Sequence, residues 1–181
     1  MKKLSSVAIA SLFIASIFSA KVAASDTSQP SVEWKNWQTV GSATLSWGFW
    51  TIYDSMLATP DGRYESLGGP LSLSITYRRD IDGEDLLEAT GDQWEHLGYE
   101  PSAIDSWLKA LDGVFPDVVK GDQLIYTLNA GKGTFYFRSK DEDLRQVGAI
   151  SDPGMANAFA AIWLSPKTSY PKHRLALIGQ K

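Results

Sequence analysis

Residues 131–134 read GKGT, the outline of a phosphate-binding loop. Such a loop needs a glycine five places before Gly131 and a serine or threonine directly after the lysine. Tyr126 and Gly133 stand at those places, so the stretch reads as the turn of a β-hairpin. DIDGED at 80–85 imitates a calcium loop. There the glycine belongs at the sixth place and a bidentate glutamate at the twelfth, whereas Gly83 is fourth and Gly91 twelfth. The two histidines, His96 and His173, fall on expected helices beside charged neighbours and read as solvated surface groups. KDEDLR at 140–145 reads as a solvated loop. With no cysteine there is no disulfide, thiol nucleophile or thiolate ligand, and no G-x-S-x-G elbow occurs. No catalytic residue, metal ligand or cofactor is expected from these motifs.

Charge narrows the partners. The N-terminus carries Lys2 and Lys3, then an apolar run from Leu4 to Phe18, then Val22 and Ala24 at small-residue positions before a cut. That pattern predicts a signal peptide over 1–24, cleaved after Ala24, and a periplasmic or secreted product. The run is short for a spanning helix and no later stretch is longer, so no membrane span is expected. Losing Lys2, Lys3 and Lys21 takes the formal charge from −4 to −7. An acidic surface argues against nucleic acid, whose phosphates need a basic footprint.

The remaining chain, about 157 residues, is long enough for one domain with its own core. Its seven tryptophans, at 34, 37, 47, 50, 94, 107 and 163, can fill that core or line an apolar cavity. Val32 to Ala58 predicts two strands, the second long, with Leu45, Trp47, Phe49, Thr51 and Tyr53 on one face. PLSLSITYRRD predicts a third, with Leu71, Leu73, Ile75 and Tyr77 inward and Ser72, Ser74, Thr76 and Arg78 outward. The period then changes. Leu87, Thr90, Trp94 and Leu97 mark a helix ending at Gly98, and Ile104, Trp107, Leu108 and Leu111 a second one capped by Ser102. QLIYTLNAGKGTFYFRS predicts a hairpin and LRQVGAI a short strand. Asp152 and Pro153 open a helix with the stripe Met155, Phe159, Ile162 and Trp163, and Ser169 and Pro171 open a last short one closed by Gly179. The order predicts an α+β fold, a mostly antiparallel sheet with helices layered on one face.

Four segments, FWTIYDSMLAT, LSITYRRDI, FPDVVKGDQL and FAAIWLSPKTSYPKHRLALIG, together resemble the chalcone isomerase superfamily, in particular its bacterial secreted branch. The resemblance runs from about Val40 to Gly179 and divides the chain into a signal peptide (1–24), a leader with the first strand (25–39) and a chalcone isomerase-like domain (40–181). It implies an open-faced sandwich whose ligands lie between sheet and helices. The superfamily holds enzymes that close a chalcone to a flavanone and non-catalytic relatives that bind fatty acids. Both use an arginine shortly before the Y-x-x-x-L strand segment, yet this chain has no lysine or arginine between Lys35 and Arg63 and offers only Thr44 and Ser46 there. The enzymes also draw a tyrosine and an asparagine from the helix after YRRDI, and DLLEATGDQWEHL has neither. Their threonine near IWL falls among Ala160, Ala161 and Ile162.

The expected function is therefore a non-catalytic binder of a small apolar ligand, a fatty acid or a flavonoid-like molecule. An isomerase of small aromatic substrates and a structural protein with a filled core are the alternatives. The expected ligand-binding residues are Tyr53, Tyr77, Trp94 and Trp163. Arg78, alternating to the other face, should sit at the surface with a carboxylate partner.

Overall fold

A computed structural model describes residues 33–180. The signal-peptide cut and the leader up to residue 32 lie outside the described residues. The described part is one α+β unit, a six-stranded antiparallel sheet and four helices. Strands β1 (Gln38–Trp47), β2 (Trp50–Thr59), β3 (Leu71–Tyr77), β4 (Gln123–Asn129), β5 (Lys132–Arg138) and β6 (Arg145–Ile150) neighbour each other in chain order. Helices α1 (Gly83–Leu97) and α2 (Pro101–Leu111) interrupt the meander after β3; α3 (Pro153–Leu164) and α4 (Pro171–Leu177) follow β6. The first strand thus begins at Gln38, preceded by a 3-10 turn over Glu33–Asn36.

Turn chemistry sets the hairpins. Between β4 and β5 the two-residue turn Ala130–Gly131 has φ of 48° and 74°, the left-handed pair that suits the twist of flanking strands. Between β1 and β2 the chain turns at Gly48 and Phe49, so Trp47 pairs with Trp50. The single alternation read through residues 44–53 is therefore broken at its centre. Local alternation cannot reveal this, because Trp47, Phe49 and Trp50 are strand-forming residue types and only Gly48, at φ 60°, is a turn former.

Inward residues Leu71, Leu73, Ile75 and Tyr77 of β3 join the core as expected. Ser72 and Ser74 of its other face are buried as well. In the register Ser74 lies between Met56 and Ile125, larger neighbours that shade a short side chain. Helix α1 ends where Gly98 takes φ 83°. Helix α2 starts one residue before the expected cap: Pro101 is its first residue and Ser102 lies inside it. Helix α3 starts as the sequence indicates, the Asp152 carboxylate accepting from the Met155 N–H at 2.6 Å. It is not the one-sided stripe that was expected, since Ala156, Ala158, Ala160 and Ala161 are buried along with Met155, Phe159 and Ile162. The helix runs between the sheet and its neighbours α1 and α4, so small residues face the close contacts. Two of its carbonyls are gripped from outside. Ala156 accepts from the Tyr126 hydroxyl (2.7 Å) and Ala158 from the Trp94 indole (3.0 Å). At the sheet edge, α4 packs on β1, where a Cβ at Gly41 would overlap the Ala176 carbonyl oxygen.

Candidate functional site

Between the sheet and α1, α3 and the start of α4 lies a cavity of about 220 Å³. Its floor is Tyr53, Ile75, Tyr77 and Leu124 of the strands, and its roof is Phe159, Ile162 and Trp163 of α3. For scale, an apolar cavity of about 150 Å³ takes benzene. Asp85, Ala89 and Gln93, four residues apart on α1, stand with Tyr170 at the accessible side, and Leu45, Ile52, Thr90, Thr168 and His173 are also part of the wall. A larger depression of about 320 Å³ lies in the β2–β3 connection, walled by the charged and turn-forming stretch 59–71, away from these residues.

The wall owes its shape to an irregularity in β2. Ser46 pairs with Thr51 and Leu45 with Tyr53, so Ile52 is an extra residue in its strand. A bulge of this kind turns two consecutive side chains toward one face. Ile52 and Tyr53 both line the cavity for that reason.

Three of the four expected ligand residues meet here: Tyr53, Tyr77 and Trp163. The Trp163 indole N–H donates to the Tyr53 hydroxyl oxygen at 2.9 Å, and the two tyrosine rings meet edge to face at 6.4 Å. No acceptor for the Tyr53 proton and no partner for the Tyr77 hydroxyl is found among the described residues. Burial pushes both phenols above the ordinary tyrosine range, and for Tyr53 the Trp163 bond opposes the rise without cancelling it. Both are neutral donors at any physiological pH. Trp94 does not reach the wall. It is fully buried behind it, its indole spent on Ala158 and its ring against Trp107 at 5.2 Å. A position on the α1 stripe marks a residue as inward-facing but cannot say whether its neighbour is a void or another ring.

His173 is a correction to the sequence reading. It is buried, not solvated; its Nε2 lies 2.8 Å from the Ser55 hydroxyl and its ring packs edge to face on Tyr53 at 5.9 Å. Nδ1 is buried without a partner, and desolvation lowers the pKa of the ring. No local signal announces the pair, because Ser55 and His173 are 118 residues apart and meet only when α4 docks on β1 and β2. His96 is at the surface, its Nε2 3.0 Å from the Lys167 carbonyl. Arg78 pairs with Asp54 on the surface, and the Thr44 hydroxyl donates to the same carboxylate at 2.6 Å. These groups hold the Asp54 pKa below the ordinary value, Thr44 contributing most.

No family model matches the chain. A Haemophilus influenzae protein described as an uncharacterized protein is 30% identical over 145 residues, covering 80% of this chain and 69% of that one. The chain belongs to the family of this Haemophilus influenzae protein. Within the member described here, the cavity wall carries no lysine or arginine, and Asp85 at the mouth is its one carboxylate. The rest of the wall in this chain is largely apolar, with the Tyr53 and Tyr77 phenols and the His173 imidazole among its polar groups.

Proposed function

We propose that this protein is a non-catalytic binder of a small apolar molecule bearing one neutral oxygen function, such as an alcohol, aldehyde, ketone or ester. It would serve in the manner of the ligand-binding members of the chalcone isomerase superfamily that its sequence resembles. The observation that carries the reading is the pair of phenol protons without a protein acceptor inside a mostly apolar cavity. Neither hydroxyl is sealed off without a partner, so a ligand oxygen would replace water as acceptor, for a net gain of about 0.5–1.5 kcal/mol per bond. The absence of a cation on the wall selects against a carboxylate held deep inside, because a buried unpaired charge is far more expensive than a buried dipole. A fatty acid would bind protonated, or with its headgroup at the mouth. The wall also lacks the arginine that the enzymes of that superfamily use to hold an anionic ligand oxygen, which weighs against ring closure.

Mass spectrometry of small molecules extracted from the purified protein tests this. The expected result is one neutral apolar compound in near-stoichiometric amount; a polar or multiply charged one would contradict it. We also propose export with cleavage after Ala24. N-terminal sequencing of the recovered protein should start at Ser25, and retained Met1 would overturn it.

A further inference from the structure

The β1–β2 hairpin carries Trp47, Phe49 and Trp50 at its tip, 80%, 105% and 69% exposed. Beyond Ile52 no third strand accompanies it, since the β2–β3 pairing ends at Tyr53 and Tyr77 and the last main-chain bond joins Arg78 N–H to the Ile52 carbonyl. Residues 36–53 contain no charged side chain. Large aromatic rings on a charge-free projection are the composition that settles at the headgroup level of a bilayer. The strand period adds a direction. Trp47 is two residues from Leu45 and Trp50 two from Ile52, so both indoles extend the face on which those residues line the cavity.

We propose that this tip is a membrane-docking element that inserts its three rings into a neutral lipid interface, bringing the Leu45 and Ile52 wall of the cavity next to the bilayer. The proposal does not require the cavity to hold a ligand. A lipid surface fits better than a second copy of the chain. Each aromatic ring offers about 150–250 Å², so three rings, even with Phe49 fully exposed, fall short of the roughly 800 Å² per partner of a stable protein interface. No side chain of residues 36–53 is cationic, so the tip itself has nothing to attract anionic lipid and zwitterionic vesicles should bind at least as well.

The chain has no cysteine, so one can be introduced and labelled without background. An environment-sensitive fluorophore on Phe49→Cys in the full chain should shift to the blue and be quenched by brominated lipid when phosphatidylcholine vesicles are added. The same label on Glu65→Cys, in the β2–β3 connection at the opposite end of the sheet, should not respond. In flotation with the same vesicles, exchanging Trp47, Phe49 and Trp50 together for serine should lower partitioning about 1000-fold with an unchanged thermal melt, at roughly a decade for each fully buried ring. Equal flotation of wild type and the triple variant would overturn the proposal. So would a Phe49→Cys label that ignores vesicles, or one that shifts without them as the chain dimerises.

Discussion

At the scale of single residues, the site is a set of hydrogen-bond donors with fewer acceptors than they can use. Tyr53 accepts from Trp163, so Tyr53→Phe strands an indole N–H beside the cavity. We expect a loss of about 1 kcal/mol, the low end for an unpaired buried donor, because the cavity gives water some access. Urea denaturation checks it, and unchanged stability would mean that the Trp163–Tyr53 bond contributes nothing. His173 has the opposite relation to protons. Its folded pKa is lowered from 6.5 by burial, so the unfolded chain binds the proton more readily. Its contribution to stability is complete above the unfolded value and is lost as pH falls through the folded one. Between about pH 6.5 and 5, before most carboxylates titrate, melting temperature should fall in wild type and stay flatter in His173→Gln. Identical slopes would remove His173 from the account. Arg78 was legible from alternation alone, down to its surface carboxylate partner. The burial of His173 was not, because lysine and arginine on either side make a sequence neighbourhood look solvated while one helical face turns inward.

Among the elements, α3 decides whether the cavity exists. Asp152, Tyr126 and Trp94 hold it from its cap and from two flanks, and it carries Phe159, Ile162 and Trp163 over the sheet. Asp152→Ala should cost about 1 kcal/mol, the usual worth of an N-cap, read as a lower midpoint in denaturant with an unchanged slope. No shift would mean that the cap is dispensable. The start of this helix was plain in Asp152 and Pro153, residues whose local chemistry admits few alternatives. Its all-round burial was not, because alanine is ambivalent toward burial and only the packed neighbours reveal which side is close. The β1–β2 hairpin failed to show for a related reason. Its turn is built from aromatic residues that alternate as a strand would, and the bulge at Ile52 shifts the phase again. Periodicity reports the faces of regular elements, while the irregular residues that shape the cavity wall are set by pairing between strands.

For the whole molecule, the meander and the helical layer follow from the order of periodicities in the chain, and the described structure has that architecture. The layer leaves a space between sheet and helices, and Tyr170 with the Asp85, Ala89 and Gln93 face of α1 stands as a rim at its accessible side. Whether that space holds a molecule is the central claim. The most direct measurement is calorimetric titration of a medium-chain alcohol and its carboxylate into three proteins: wild type, Tyr77→Phe and Ala89→Trp. Ala89 is exposed at the rim, so tryptophan there obstructs entry without disturbing the core. Wild type should bind the alcohol more tightly than the carboxylate at neutral pH. Tyr77→Phe should weaken alcohol binding about tenfold, the worth of one hydrogen bond, and Ala89→Trp should abolish it. Equal affinities across the three proteins, or a preference for the carboxylate that survives Tyr77→Phe, would contradict the account.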